Sequence, residues 1–505
     1  MSSMPSYAIP SSADDTFGGG DGSEPRHHVS ASRAAAAVAN NNSNSNNNVD
    51  MAAFDPSDVD KLLAGHLQEL SVQDREGIAE EIHGVATMAK EETAELIRAS
   101  LIGLEAEISR IPNERKTGYI YAIEQLNSHM VFDQEIRLKF LRADLFDVQK
   151  AAVRFVDYWD MVRSYFGDAA LARPLLMNDL GPKEREVLRE GPMQLVGARD
   201  RFGRLVVSCI GDVRCGLHWR HAVRVAIYLY GTVVSEDVET QRKGMVICIW
   251  PEGTKTLMIS DKEEQRAINN MMSVLPIRIS AAHICLPKEP ASQLLQALLI
   301  LAMPKDERTR TRIHLGKPTE CRYNLMTFGL PVRDLPITDS GRIKIKFLTS
   351  WIKTRQTKEE AYMQGLPFKG IEVPLRSDVL FCNGGQKFLN PGNTAFRSLL
   401  EERRGEYTNA KNSEKRAIIA DIIQQVGIMN GRFLLWDAKE NWWEELPLDA
   451  PKLMDRVSTA LRDHYKRLKE REAHLQFSKS STSGFLEDRG MKRKFGCFVQ
   501  ELPGL

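Results

Sequence analysis

From residue 205 to residue 315 the chain alternates short apolar runs with longer stretches of helical spacing. Residues 205–210, 244–250, 277–286 and 312–315 are rich in apolar and β-branched side chains and predict buried strands. Between them, residues 219–234 and 261–274 predict helices. Strands alternating with helices point to βαβ units, a largely parallel sheet, and helices over its face. Residues 294–303 break the pattern, being apolar on nearly every side. A surface helix shows one apolar stripe, so this segment needs apolar contact on two sides. It is too short to cross a bilayer, which takes about 20 residues. It belongs either to a deep core or to the wall of a cavity the size of a lipid chain.

The flanking pattern divides the chain further. Residues 1–50 carry an alanine run and an Asn/Ser tract, which bury too little apolar surface to offset ordering entropy, and predict a disordered arm. Residues 51–114 predict helices, with Val59, Leu62, Leu63, Leu67 and Leu70 recurring at helical spacing, then Ile78, Ile82 and Val85, then a helix over 91–111 stopped by Pro112-Asn113. In 115–190, Asp147 is placed as an N-cap before the amphipathic series Ala151, Ala152, Phe155, Val156 and Trp159. Residues 191–350 hold the α/β pattern, 351–376 read as a helix and linker, 377–470 as a separate small α-rich domain, and 471–505 as a mobile Ser-rich tail.

Lys139-Phe140-Leu141-Arg142-Ala143, followed by Phe146-Asp147-Val148-Gln149-Lys150-Ala151, resembles the N-terminal helical lobe of the CRAL-TRIO lipid-transfer family. The order of later landmarks (200–206, 250–253, 275–278 and Leu335-Pro336) is similar to the same family, so the resemblance covers roughly 115–350. Trp250 stands where the family usually has Asp. Ile277 stands where its phosphatidylinositol-transfer members keep an acidic headgroup contact, and Arg312 where they keep a lysine. The resemblance implies a helical lobe, an α/β lipid domain and a gated apolar pocket. Alternation along 277–286 puts Arg278, Ser280, Ala282, Ile284 and Leu286 on one face. The resemblance turns that face toward a ligand and adds Ile247, Ile249, Ile313 and Leu315 from the neighbouring strands. It makes Leu294, Leu298 and Leu301 one side of a gate helix, with Pro290, Pro304 and Gly316 as hinges. Arg278 offers a forked donor to a phosphate or carboxylate head. The other reading of each position is core packing.

Residues 377–385, 390–393, Phe396-Arg397, 431–434 and Trp442-Trp443 resemble a domain of unknown function common in microalgal proteins, with its "DVL-GRGG", "HPGN-x-x-F-R" and "GRFL" boxes. Cys382-Asn383 replaces its Gly-Arg, and Asn390 its His. Arg397, Arg403, Arg404, Lys411, Lys415 and Arg416, with Tyr407, Trp442 and Trp443, could serve nucleic acid. Glu401, Glu402, Glu406 and Glu414 interleave with them, so a salt-bridged face that contacts protein is expected instead.

The chain is 42% hydrophobic and 27% charged with net charge +1, so bulk charge selects neither nucleic acid nor an anionic membrane. Seven scattered cysteines without a CxxC pair fit a reducing, cytoplasmic setting, and the N-terminus shows no secretory signal. No GxSxG, P-loop, HExxH or strand-linked GxGxxG occurs, so neither catalysis nor a cofactor is expected. His218 and His221 have helical metal spacing without a completing ligand, and His283 and His314 read as structural. The function expected is non-catalytic binding and intermembrane transfer of a hydrophobic lipid, with transient membrane contact. The alternative is a protein scaffold whose pocket is filled.

Overall fold

A parallel sheet with both faces covered has no wet side, so its strands are apolar throughout. The computed structural model meets that condition. It describes residues 56–251, 262–289, 303–382 and 390–484, with Ser292, Gln296, Leu299 and Ile300. The arm, the last residues of the tail, and Pro290, Leu294, Leu298 and Leu301 lie outside the described residues.

Two helices, α1 (Pro56–Glu69) and α2 (Val72–Ile82), open the described chain. Helix α2 buries Ile78 and Ile82, whereas Val85, beyond its end, is exposed. A helical lobe follows: α3 (Ala94–Arg110), α4 (Thr117–Glu124), α5 (Gln134–Ala143) and α6 (Val148–Phe166). The Asp147 side chain accepts from the Lys150 amide at 3.1 Å, the N-cap its spacing predicts. Gly118 lets α4 cross α6 closely, since a Cβ there would meet the backbone of Trp159 at 2.8 Å. Arg142, buried in α5, grips Glu92 through two bonds of 2.8 Å and so fixes the approach to α3.

After α7 (Pro182–Glu190) come β1 (Met193–Leu195) and β2 (Val206–Ile210), then α8 (Trp219–Tyr228), which runs on through a π turn over Leu229–Val233. Then follow α9 (Val238–Lys243), β3 (Met245–Trp250), α10 (Lys262–Val274), β4 (Ile279–Leu286), α11 (Lys305–Arg310), β5 (Thr311–Leu315) and α12 (Pro318–Thr327). The sheet order is β1-β2-β3-β4-β5, parallel except for the antiparallel edge strand β1. One face packs with the helical lobe, α8 and α10 in a large core containing Val207, Met245 and Ile247. The other face, with Val206, Val246, Cys248, Ala281 and Cys285, packs on α2 and α12. Trp250 belongs to this second core.

Helix α13 (Lys346–Met363) and β6 (Gly370–Ile371) lead to β7 (Val379–Phe381), α14 (Pro391–Glu402), α15 (Arg404–Asn409), α16 (Asn412–Ile428), β8 (Phe433–Asp437), β9 (Trp442–Leu446) and α17 (Pro451–Gly484). The C-terminal part is mainly helical, as expected, and carries in addition a four-stranded mixed sheet of order β6-β9-β8-β7. Its strands run only two to five residues, too short for alternation to show. The segment expected as a linker supplies β6. It is also held by ions: Arg355 of α13 binds Glu236 at 2.6 and 2.7 Å and Glu359 at 2.8 Å, and Arg199 donates to the Pro374 carbonyl. Helix α17 continues over 471–484, where a mobile tail was expected, because Glu, Arg, Ala, Leu and Gln carry good helix propensity into the serines.

The sharpest constraint on the second face is Glu81 of α2, fully buried between Arg278, at 2.6 and 2.8 Å, and Arg310. Burial alone would raise its pKa, but hydrogen bonds and charge from Arg278, with the charge of Arg310, hold it below the usual carboxylate range. Removing the carboxylate in Glu81→Ala strands two buried guanidinium groups, so the urea-unfolding free energy should drop by about 3–5 kcal/mol.

His283 and His314 meet on the same face, Nδ1 to Nε2 at 3.1 Å, beside Phe328. Burial, then the charge of His314, keeps His283 well below its ordinary pKa; burial and Arg312 hold His314 at about 4. The unfolded chain protonates first, so this pair stabilises the fold fully above pH 6.5 and less as pH falls from 6.5 towards about 4. Glu307 of α11, whose carboxyl burial raises to about 7, works in the opposite direction over this range, so the pair is read from a difference: as pH drops from 6.5 to 5 the urea midpoint of wild type should fall more steeply, or rise less, than that of His314→Gln. Parallel pH courses in the two proteins would contradict this assignment.

Candidate functional site

Small side chains decide where a two-faced sheet stays hollow. Ala222 and Ala226 of α8 face a floor that includes Ala282 of β4, and an apolar cavity of about 300 Å³ lies between them. Its floor is completed by Cys209, Ile247, Ile249 and Ile279, and its far wall by Ile268, Met271 and Met272 of α10. Leu299 and Met303 border it from the stretch after β4. The π turn brings Tyr230 to the lining, where its hydroxyl lies 3.3 Å from Cys209 Sγ. Burial pushes the Cys209 thiol up to about 11, so it stays protonated and behaves as a small hydrophobe.

Few charged groups reach the space. Arg214 enters from the loop after β2, held 3.3 Å from Asp212 and 3.4 Å from Glu264 of α10. Glu307 of α11 enters beside Thr311, whose hydroxyl donates to the Glu307 carbonyl at 2.8 Å. Burial raises the Glu307 carboxyl to about 7, with Arg154 opposing and Asp306 reinforcing the shift.

The residues expected from the sequence separate into groups. Ile247, Ile249 and Ala282 line the cavity. Ile284 and Leu286 share the Ala282 face by alternation, and Ile313 and Leu315 pair beside them, but these four do not border the space. Arg278 and Ser280 must be corrected: they point to the opposite face. The register shifts between Met245, opposite Ile279, and Val246, opposite Ala281, so Ser280 is an extra residue that breaks strict alternation. The Ser280 hydroxyl donates to the Met245 carbonyl at 2.9 Å and receives Arg204 at 3.0 Å. Arg278 is committed to Glu81, away from the cavity. Gly244 (φ +79°) makes the bulge fit, because a Cβ there would sit 2.7 Å from Ser280 Cβ. Cys209, Tyr230, Ile279 and Glu307 were missed; the alanines on α8 were a readable signal of space, whereas the π turn left none.

The remaining histidines serve local structure. The His218 side chain caps α8, accepting from the Arg220 amide at 3.3 Å, and His221 lies 3.1 Å from Glu184. Among the described residues there is no cluster of three or more His, Cys, Asp or Glu arranged to hold a metal. No helix among them is long and apolar enough to cross a membrane.

In the C-terminal part, the sequence boxes bind one another. Asp378 accepts from Arg432 at 2.8 and 3.0 Å, and Asn390 donates to the Asp378 carbonyl at 2.7 Å. A Cβ on Gly392 would fall 2.2 Å from that same carbonyl, so only glycine lets α14 start there. The basic and aromatic residues do not form one platform. Arg403 pairs with Asp421, Lys415 lies over Tyr407, and Trp443 is buried near Leu380 and Leu434. A separate open cleft of about 600 Å³ is lined by Phe396, Trp436, Arg397, Arg456 and Arg467.

Residues 378–463 match the family model of a domain of unknown function, DUF6824. No CRAL-TRIO family model matches the chain. No curated protein matches it either.

Proposed function

We propose that this chain binds and transfers a hydrophobic lipid without chemical catalysis, using the cavity between the sheet and helices α8 and α10 as its pocket. The cavity itself carries the reading: its lining is mainly apolar and includes three alanines where larger residues would have closed the core. The residues that resemble the CRAL-TRIO lobe, Phe140 and Arg142, are buried in the helical layer that packs on the same face. At about 0.8 kcal/mol per buried CH₂, a long chain contributes on the order of 10 kcal/mol before the costs of immobilisation. The segment containing Leu299 and Met303 borders the space and is the candidate gate, with brief membrane contact accompanying exchange.

A scaffold with a plugged pocket predicts bulky side chains in this volume. Trp250, which stands where the resembled family usually has Asp, packs on the opposite face instead. We therefore rank the scaffold second and assign possible protein contact to residues 377–470, with nucleic acid disfavoured.

Organic extraction of the purified full chain followed by lipid mass spectrometry should recover a bound or exchangeable single species or class. Ala282→Trp should fill the floor and lower recovered lipid about tenfold or more, with circular dichroism and the urea midpoint near wild type. Lipid recovered equally from both proteins would move the site elsewhere. Failure of any lipid to bind or exchange would end the proposal.

A further inference from the structure

An acid facing an apolar cavity is costly unless something neutralises it. Glu307 is such an acid: it lines the cavity, and its carboxylate makes no hydrogen bond or ion pair among the described residues. Arg154, the cation that acts on it, is already engaged, bonding Asp144 at 2.8 and 2.9 Å and the Leu275 carbonyl at 3.2 Å. On the same helix Arg310 is bound to Glu81 on the far face, and Arg308 is engaged as well. Among the cavity's own charged groups, Arg214 sits between Asp212 and Glu264. The space therefore has two lining carboxylates, Glu264 and Glu307, and one cation that already faces acids.

Resting on the lipid-pocket reading, we propose that the cavity selects a single-chain amphiphile with a cationic amine head, the ammonium pairing with the Glu307 carboxylate while the chain lies over Ile247, Ile249 and Ala282. Charge complementarity chooses this class. A carboxylate or phosphate head would be repelled by Glu307. A neutral head would leave Glu307 without a counter-charge. An ammonium supplies both charge and donors, and an ion pair in a low-dielectric site is stronger than one in water. The volume agrees: about 300 Å³ is at the small end of the range for ligand sites and suits one chain with a compact head. The carboxyl's upward shift to about 7 has the same origin, since burial penalises the ion while no partner is bound.

The test compares dodecylamine, dodecanol and dodecanoate on the full-length protein at pH 8 by isothermal titration calorimetry. The amine should bind about tenfold or more tightly than the alcohol, and dodecanoate should bind most weakly. Glu307→Gln should bring amine affinity down to that of the alcohol and leave alcohol affinity within about twofold. Without ligand, Glu307→Gln should melt no lower than wild type, because it removes an unpaired charge. A destabilised variant would show that the carboxylate already has a structural partner and would overturn the assignment. Equal amine and alcohol affinities in the wild type would reject the head-group selection yet leave the lipid pocket standing. No binding by any of the three chains would reject both.

Discussion

One extra residue in β4 separates the two sides of this protein. With strict alternation, Arg278 and Ser280 would share a face with Ala282, and a guanidinium would stand over the cavity floor. The bulge at Ser280 sends both polar groups to the other side, where Glu81 and Arg204 receive them. What remains toward α8 is Ile279 and Ala282. The polar clamp that holds α2 and the hollow on the opposite side are thus consequences of the same register shift.

The two sides also have different tolerance for burial. On the second face Glu81, Arg278, Arg310 and Arg204 each meet an opposite charge or a backbone carbonyl, as a closed core requires. On the first face small residues leave space, and the Glu307 carboxylate has no hydrogen bond or ion pair among the described residues, with only the charge of Arg154 acting on it. Natural cores seldom combine a void with an unpaired acid, because each is unfavourable alone. Here the two occur at one place.

The sequence made the parallel strands readable, because strands buried on both faces are continuous apolar runs such as Met245–Trp250. Asp147 was readable as a cap because capping depends on a few adjacent residues. Ile247, Ile249 and Ala282 were placed toward the cavity because their strands keep ordinary alternation there. Arg278 and Ser280 were misplaced because a single inserted residue inverts every side chain before it, and no local composition announces it. The C-terminal sheet escaped notice for another reason: its strand β6 has two residues, and pairs only through distant β9.

Asn393 shows how the C-terminal sheet ends. Strand β7 is an outer strand, and the Asn393 carboxamide accepts from the Leu380 amide at 2.8 Å and donates to the Leu380 carbonyl at 3.0 Å. One side chain thereby imitates the next strand for a single residue. It occupies the donor and acceptor that an approaching polypeptide would need to extend the sheet, so the molecule guards its own margin against fusion with a neighbour.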